Sequence, residues 1–286
     1  MAQVTVKLTL VIEDFTALGQ ISMVAATTVL QAMGRSTALL PTAVFSTQTE
    51  GFGQPVTIDT QQWLQRTINH WDQAGLVVNS VVIGYLGKTA LTHSVTQVLD
   101  HYQPEIRVID PVMADEGQLY PGLSSQLPGA LRELCKRATV ITPNWTELCL
   151  LAGEQPREFQ VGHLPTLIAQ LRAAGVSAAV VVTGIIRGGK VSCCLCSEED
   201  YQWYDSPHYP GHFYGSGDVF AALLCGYLAQ GCPLEGAVEK ASQALVVAIE
   251  ETKLLNNQDR KYGMEIQKLL AYLSREDENC ENAANH

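Results

Sequence analysis

Short apolar runs alternate with amphipathic stretches along most of this chain of 286 residues. Apolar runs rich in β-branched residues are typical of strands buried on both faces, and they occur at Val4–Ile12, Thr37–Leu40, Ser80–Ile83, Ile106–Ile109, Thr139–Ile141 and Ala178–Val182. Between them, apolar residues at helical spacing predict helices over Ile21–Met33, Thr60–Ala74, Thr89–His101, Leu123–Arg137 and Leu164–Ala174. The alternation indicates an α/β fold, a three-layer αβα sandwich with a mainly parallel central sheet.

The last third of the chain departs from this alternation. We predict a hairpin and then three helices, at Lys190–Cys196 with Gln202–Asp205, and at Asp218–Gln230, Leu234–Glu250 and Tyr262–Leu273. No internal repeat, proline-rich or serine-rich linker, or shift in composition divides the chain. We therefore expect one domain over residues 1–273, followed by a polar tail over 274–286 that we expect to be disordered.

Composition narrows the classes of partner. The formal net charge of −11 disfavours nucleic acid or an anionic membrane surface as the main partner. No stretch is long and apolar enough to span a bilayer, and Met1–Leu10 has the alternation of a strand rather than the pattern of a secretion signal. The eight cysteines include a cluster at Cys193, Cys194 and Cys196 but no C-x-x-C pair. Reduced, mostly buried thiols in a cytoplasmic protein are the expectation.

Polar residues follow the predicted strands at the points where the strands end. They include Asp14, Asp110, Asp115, Thr142, Asn144, Glu147, Thr183 and Gly184. Ligands of parallel α/β folds bind at the carboxyl ends of the strands, so we expect these residues to meet at one edge. Asp110, Asn144 and Glu147 offer the hard oxygen atoms that Mg²⁺ prefers. Asn144 and Glu147 also fit the capping box of a helix start, and this alternative stays open.

A small-residue loop, Gly215-Ser216-Gly217-Asp218, leads directly into an apolar helix. The first turn of a helix has unpaired N–H groups and partial positive charge, which attract a phosphate or an oxyanion. A carboxylate beside such a site is placed to accept a proton from an attacking hydroxyl group. The loop therefore fits phosphoryl transfer, although an aspartate is also a favoured helix N-cap.

Three common signatures of other enzymes are missing from the sequence. The chain has no Gly-x-x-x-x-Gly-Lys-Ser/Thr loop, no Gly-x-Gly-x-x-Gly after its first strand, and no Gly-x-Ser-x-Gly elbow. These absences disfavour a P-loop NTPase, a dinucleotide-binding fold and an α/β-hydrolase.

Five motifs in order along the chain resemble those of the pyridoxal/pyridoxamine (vitamin B6) kinases of the ribokinase-like superfamily. They lie at 40–47 (LPTAVFST), 84–87 (GYLG), 110–115 (DPVMAD), 142–147 (TPNWTE) and 215–218 (GSGD). The resemblance runs from about Val11 to the helix near Ala248. The glycine loop and the Asn-x-x-Glu pattern belong to the superfamily, whereas the first two motifs are more specific to the B6 branch.

This resemblance implies ATP-dependent phosphorylation of the 5′-hydroxymethyl group of pyridoxal, pyridoxine or pyridoxamine. Asp218 would be the base that orients and deprotonates this hydroxyl group. The amides of Gly215, Ser216 and Gly217 would stabilise charge on the transferring phosphoryl group.

The resemblance also assigns the nucleotide and metal residues. Asn144 and Glu147 would organise Mg²⁺ and its waters, and Asp110 would lie near the metal and the phosphates. Thr142, Thr183 and Gly184 would lie on the ATP side. The family further suggests a homodimer, and a monovalent cation such as K⁺ is an additional possible cofactor.

On the substrate side, the resemblance assigns Asp14 and Thr16 of the first loop, and Thr47 and Thr49 of the second, to the pyridine ring. Tyr85 would pack beside the ring, because an aromatic face fits a flat heterocycle. The alternative for Tyr85 is a core tyrosine with a bonded hydroxyl group.

The chain departs from the family at Glu13, Asp14 and Gln48, where many members have Gln, Ser and His. Two carboxylates near the ring favour a protonated amine such as pyridoxamine, a hypothesis that rests on charge. The nearest rival function is hydroxymethylpyrimidine kinase, whose members usually have a cysteine where this chain has Asp218. A second rival is a non-catalytic B6-binding protein on the same scaffold.

Overall fold

A sheet of eight strands forms the middle layer of the protein. The structure is a computed structural model that describes residues 7–197 and 200–284. Within these residues the sheet contains β1 (Leu8–Ile12), β3 (Ser36–Leu39), β6 (Ser80–Ile83), β7 (Ile106–Ile109), β10 (Val140–Ile141), β11 (Ala179–Arg187), β12 (Lys190–Cys196) and β13 (Tyr201–Pro207). Their order is β13-β12-β11-β10-β7-β6-β1-β3. The pairs from β3 to β11 are parallel and the last two are antiparallel, which confirms the predicted mainly parallel sheet and its hairpin.

Helices cover both faces of this sheet. They are α1 (Ser22–Ala32), α2 (Gln61–Gln73), α3 (Thr89–Tyr102), α4 (Leu127–Cys135), α5 (Trp145–Ala152), α6 (Leu164–Ala173), α7 (Ser216–Ala229), α8 (Leu234–Thr252) and α9 (Gln267–Ala284). Successive strand residues point to opposite faces. Leu10 and Ile12 pack with α2 to α6, whereas Val11 between them packs with α1, α7, α8 and α9. The predicted three-layer αβα sandwich is therefore confirmed.

Small strands that the sequence pattern did not predict lie outside the central sheet. A second sheet joins β2 (Phe15–Thr16), β4 (Ala43–Phe45) and β5 (Thr57–Asp59), and a short hairpin joins β8 (Ala114–Asp115) to β9 (Gln118–Leu119). Both follow strand ends directly: β2 comes after β1, β4 after β3, and β8 after β7. They therefore extend the carboxyl-end edge of the central sheet, where the candidate site residues lie.

Several element boundaries differ from the sequence prediction. Helix α4 begins at Leu127, with Pro128 in its first turn, four residues later than predicted. Residues 259–262 form a 3₁₀ turn that ends at Gly263 (φ 93°), so the last helix begins only at Gln267. This helix continues to Ala284, which makes most of the predicted disordered tail helical. Residues 4–6 of the first predicted strand, and residues 285–286, lie outside the described residues.

Two further observations bear on the composition. Among the described residues, no helix has both the length and the apolar character needed to cross a membrane. The seven cysteines with described side chains form no disulfide, and five of them are buried. Cys194 and Cys196 lie on the same strand with their sulfur atoms 3.8 Å apart.

Candidate active site

A cavity of about 550 Å³ opens at the carboxyl-end edge of the parallel strands. It brings together most of the residues that the sequence singled out. Its walls include Asp14, Thr16, Thr49, Tyr85, Asp110, Asn144, Glu147, Thr183, Gly184, Gly215, Ser216, Gly217 and Asp218. The parallel topology explains this convergence, because these residues follow different strands that all end at the same edge.

The glycine loop forms the start of α7. Gly215 occupies the N-cap position with φ 85°, a backbone conformation that favours glycine. The Ser216 amide donates to the carbonyl oxygen of Phe213 at 3.2 Å, so it is not free for an anion as predicted. The amides of Gly217 and Asp218 have no acceptor within the described chain. The anion site is therefore expected at these two amides, at the positive end of the helix.

Asp218 lies in the first turn of α7 with its carboxylate held from α1. Its Oδ2 accepts a hydrogen bond from the Ser22 amide at 2.7 Å. Ser22 itself has φ 49°, a left-handed conformation that is rare for a non-glycine residue and costs about 1–3 kcal/mol. Burial raises the pKa of Asp218, and the Ser22 amide opposes this rise. The carboxylate is thus fixed in orientation and more basic than an exposed aspartate.

Asp110 lies against the glycine loop. A Cβ on Gly217 would stand 3.2 Å from Asp110 Oδ2, so the absence of a side chain there permits the close approach. Asp110 is only 7% exposed. Burial, followed by the charges of Glu147 and Asp218, raises the pKa of Asp110 well above its usual range.

Asn144 and Glu147 form a complete capping box at the start of α5. Asn144 Oδ1 accepts from the Glu147 amide at 2.9 Å, and Glu147 Oε2 accepts from the Asn144 amide at 2.9 Å. The same two side chains hold the β8–β9 hairpin, because Asn144 Nδ2 donates to Ala114 O at 2.7 Å and Glu147 Oε1 accepts from the Met113 amide at 3.0 Å. The capping-box alternative is therefore confirmed. Burial raises the pKa of Glu147 to about 8, against the lowering effect of these backbone amides.

The lining of the cavity contains seven carboxyl groups and, among the described residues, no lysine or arginine. The carboxyl groups belong to Asp14, Glu50, Asp110, Asp115, Glu116, Glu147 and Asp218. In the described chain, no three His, Cys, Asp or Glu side chains are arranged to hold a metal ion by themselves. This donor set fits Mg²⁺, which usually binds one or two carboxylates and completes its shell with water and substrate phosphates. Since Asn144 and Glu147 are engaged in the capping box, they would reach such an ion through water.

Thr183 and Gly184 lie at a bulge in β11, where the pairing register with β12 shifts. The Thr183 amide donates to Pro143 O at 2.9 Å, which places Thr183 beside Asn144. Thr142 does not itself line the cavity but lies next to Thr183, and its place near the ATP side stays a prediction. It is 2% exposed at the end of β10, and its carbonyl group accepts a long, 3.5 Å bond from the Thr183 hydroxyl.

The predicted substrate side lies at the β1 and β6 end of the cavity. Thr16 donates to Asp14 Oδ2 at 2.8 Å, and burial raises the pKa of Asp14 to about 7. Tyr85 lies near Asp14, and its ring centroid is 6.3 Å from that of Phe45. Thr47 is the exception: its hydroxyl turns back to the Gln48 carbonyl at 3.1 Å and it does not line the cavity, which contradicts its predicted contact.

Glu13 lies behind this wall rather than in it. Its side chain is 2% exposed, and its Oε1 has no hydrogen-bond partner in the described chain. A Cβ on Gly84 would stand 2.4 Å from Glu13 Oε2, so a side chain there would force the buried Glu13 carboxylate to move. Burial, followed by the charges of Asp218, Asp14 and Asp110, raises the pKa of Glu13 well above its usual range. Of the two predicted carboxylates near the ring, only Asp14 faces the cavity.

Sequence reasoning missed two parts of the site. The loop before Gly215 lines the cavity through His208, Tyr209, Gly211, His212, Phe213 and Tyr214. Its run of aromatic residues punctuated by proline and glycine was an available signal. Ser22, whose amide holds Asp218, gives no signal in the sequence, because its contact joins residues 196 positions apart.

Comparison with known proteins gives the family of this chain. The sequence profile of the family described as phosphomethylpyrimidine kinase matches residues 23–262. The chain belongs to this kinase family. Vitamin B6 kinases among its relatives and among the similar solved structures confirm the ribokinase-like fold and the predicted relationship to the B6 kinases.

Three such relatives illustrate the kinship. The crystal structure of pyridoxal kinase from Lactobacillus plantarum is 35% identical, with a TM-score of 0.90, and the match covers 96% of this chain and 99% of that one. A putative phosphomethylpyrimidine kinase from Bacteroides thetaiotaomicron, crystallised with pyridoxal, is 26% identical with a TM-score of 0.85, over 94% and 96% of the two chains. The pyridoxine/pyridoxal/pyridoxamine kinase of Bordetella bronchiseptica is 28% identical over 253 residues, 82% of this chain and 86% of that protein.

Proposed function

We propose that this member of the kinase family transfers the γ-phosphoryl group of ATP to the 5′-hydroxymethyl group of a vitamin B6 vitamer. The observation that carries the proposal is the junction at the start of α7. There the Asp218 carboxylate, fixed by the Ser22 amide, stands beside the unpaired amides of Gly217 and Asp218 in one cavity. A base and an anion site side by side are the parts that phosphoryl transfer to an alcohol requires.

The residues of this junction act in two ways. Asp218 accepts the proton of the substrate hydroxyl as its oxygen attacks the phosphorus atom. The amides of Gly217 and Asp218 donate hydrogen bonds to the transferring phosphoryl group, whose charge they stabilise without reorganisation. Gly215 supplies the turn that aims these amides into the cavity.

The nucleotide occupies the end of the cavity near β10 and β11 in this proposal. Thr183 and Gly184 line that end, and Asp110 faces both the glycine loop and Glu147. Mg²⁺ would be held by Asp110 directly and by Asn144 and Glu147 through water, and would neutralise charge on the phosphates. The family resemblance adds K⁺ as a further candidate cofactor.

The vitamer ring occupies the other end. Asp14, Thr16, Thr49 and Tyr85 line it and offer a carboxylate, two hydroxyl groups and an aromatic face. Because no lysine or arginine in the described chain lines the cavity, the charge favours a ring with an ammonium group, and we expect pyridoxamine to be the preferred vitamer. The resemblance also supports a homodimer, and the expectation of reduced thiols supports a cytoplasmic location.

Hydroxymethylpyrimidine kinase is the second candidate, since a hydroxymethylpyrimidine/phosphomethylpyrimidine kinase of Haemophilus influenzae is 30% identical over 60% of this chain and 65% of that protein. Asp218 favours the B6 assignment over it, because the pyrimidine kinases usually have a cysteine at that position. A non-catalytic B6-binding protein is a third candidate.

One assay separates the three. The purified chain is incubated with ATP, Mg²⁺ and, in turn, pyridoxal, pyridoxine, pyridoxamine and hydroxymethylpyrimidine, and the phosphate ester is measured by mass spectrometry. We expect esters of the B6 vitamers, formed fastest from pyridoxamine. Turnover of the pyrimidine alone would favour the second candidate. If no alcohol yields a phosphate ester, the catalytic proposal is wrong.

A further inference from the structure

A short segment between α8 and α9, Asp259–Met264, contacts three of the loops around the cavity without lining it. We call it the C-terminal strap. Through its backbone, the Tyr262 carbonyl accepts from the Gln20 amide at 2.8 Å, and the Met264 amide donates to the Gln20 carbonyl at 3.0 Å. The strap is therefore fixed to the segment between β2 and α1, and its side chains reach the two remaining loops from there.

Arg260 is the buried anchor of the strap. It is 7% exposed, and its guanidinium group donates from Nη1 to Pro210 O at 2.9 Å and from Nη2 to Lys253 O at 3.0 Å. The same group lies over the ring of Phe213, 4.5 Å from the centroid. A planar fork that binds two carbonyl groups and stacks on a ring uses features that arginine has and lysine lacks.

The backbone of the loop that Arg260 holds is shaped for this contact. Gly211 has φ 100°, and a Cβ there would stand 2.6 Å from Arg260 Nη1 and 2.2 Å from Asn257 Oδ1. Only a glycine permits this approach, both because of the space and because of the backbone conformation. The 208–214 loop and the C-terminal strap are therefore in close contact at Gly211 and Arg260.

The held loop leads directly into the anion site. Phe213, which stacks on Arg260, accepts through its carbonyl the hydrogen bond from the Ser216 amide. This bond sets the turn after which the Gly217 and Asp218 amides point into the cavity. Two contacts thus connect a residue outside the cavity with the groups proposed to bind the phosphoryl group.

The next residue of the strap holds the opposite loop. The Lys261 carbonyl accepts from Gln48 Nε2, and Lys261 Nζ donates to Gly51 O at 3.3 Å and lies over the ring of Phe52. Gln48 lines the cavity next to Thr49. Neighbouring residues of one segment therefore support the loops on the two sides of Asp218.

We propose that Arg260 is a positioning residue for nucleotide binding, which fixes the 208–214 loop and through it the anion site at the start of α7. This role rests on the proposed function, since it assumes that the anion bound there is a nucleotide phosphate. The fork and the ring stack keep the loop in one arrangement, so that the nucleotide meets a preformed site.

The test compares two arginines that bind pairs of backbone carbonyl groups. Arg172 donates to the carbonyls of Val176 and Ala178 near the start of β11, away from the cavity, and Arg172→Lys is the matched control. In Arg260→Lys we expect the dissociation constant for a non-hydrolysable ATP analogue, AMP-PNP, measured calorimetrically with Mg²⁺, to rise roughly 10-fold, while KM for the vitamer changes less than about twofold. Arg172→Lys should lower the melting temperature but change neither constant.

A second variant approaches the same contact from the other side. Gly211→Ala pushes the loop away from Arg260, and we expect the same rise in the AMP-PNP dissociation constant, so this variant tests the contact even if the lysine variant does not fold. Unchanged AMP-PNP affinity in both Arg260→Lys and Gly211→Ala would overturn the proposal, and so would an equal loss in Arg172→Lys. A wild-type chain that binds AMP-PNP but phosphorylates no alcohol would contradict the proposed function alone, and the AMP-PNP measurements would still decide the role of Arg260.

Discussion

At the scale of single residues, burial makes four carboxyl groups of the cavity wall less acidic by raising their pKa, those of Asp14, Asp110, Glu147 and Asp218. Asp14 shows the effect most simply: it is 4% exposed, and burial raises its pKa from 3.8 to about 7 although Thr16 donates a hydrogen bond to its Oδ2. Sequence analysis could place Asp14 at a strand end. The family resemblance assigned Asp14 to the ring, but the sequence did not show that Glu13 lies behind the cavity wall, because that depends on how the chain turns after β1.

Asp14 gives the ligand-free protein a pH-dependent stability. Between about pH 4 and pH 7 the folded state binds a proton at Asp14 that the unfolded state has released, so the free energy of unfolding falls as the pH rises. Asp14→Asn removes this pH-dependent contribution to the free energy of unfolding. We expect urea unfolding to show that wild type loses on the order of 2 kcal/mol more than the variant between pH 5 and pH 8.

The control for this comparison is Asp59→Asn. Asp59 is exposed on β5, and its hydrogen bond from Lys88 lowers its pKa, so it does not titrate between pH 5 and pH 8. Its profile should run parallel to that of wild type. If the Asp14→Asn profile were parallel as well, the buried, cavity-facing position of Asp14 would be wrong.

At the scale of elements, local sequence signals such as helix caps indicate where a helix begins when no tertiary contact shifts the boundary. Asn144 and Glu147 left a capping box open as an alternative, and α5, which was not among the predicted helices, begins with one. Where tertiary contacts intervene, boundaries moved: β11 continues through its bulge to Arg187 because β12 pairs with it along the whole length. The small strands β2, β4 and β8 are two or three residues long, too short for any periodicity to reveal.

We expect the capping box to contribute more to the free energy of unfolding than a helix N-cap alone, because its side chains also hold the β8–β9 hairpin. Asn144→Ala removes the bond to the Glu147 amide and the bond to Ala114 O. We expect urea unfolding to show a loss of about 1–2 kcal/mol. The matched control is Gln126→Ala at the N-cap of α4, whose side chain caps nothing, and which should cost less than about 0.5 kcal/mol. Equal losses in the two variants would contradict the dual role.

At the scale of the whole molecule, the parallel sheet gathers most of the predicted site residues at one edge, as the sequence analysis expected. Thirteen of the fifteen site residues proposed from sequence line one cavity, and the two exceptions, Thr47 and Thr142, are turned away by local hydrogen bonding and burial. The Ser22 and Arg260 contacts were not foreseen, since each joins segments far apart in the chain with no motif to connect them. The cavity wall, like the chain as a whole, has more acidic than basic side chains among the described residues.

We expect the carboxyl groups of the cavity wall to make nucleotide binding depend on a divalent cation. Phosphates entering a cavity with seven carboxyl groups and no lysine or arginine from the described chain need a counter-charge. We expect chelation by EDTA to weaken ADP binding at least about 10-fold and to stop turnover, with Mg²⁺ restoring both. Adenosine, which carries no phosphate, is the control ligand and should bind equally well with and without EDTA. Full ADP affinity in EDTA would contradict the charge argument.

The most direct test of the account is the turnover of Asp218→Asn with ATP, Mg²⁺ and the preferred B6 vitamer. Asparagine keeps an oxygen atom for the Ser22 amide and the volume of the side chain, but it cannot accept the substrate proton. We expect kcat to fall by about 10²–10⁴-fold while ADP affinity stays within about twofold of wild type. A variant that keeps a kcat close to that of wild type, or that loses ADP affinity in parallel with turnover, would contradict the role of Asp218 as the base.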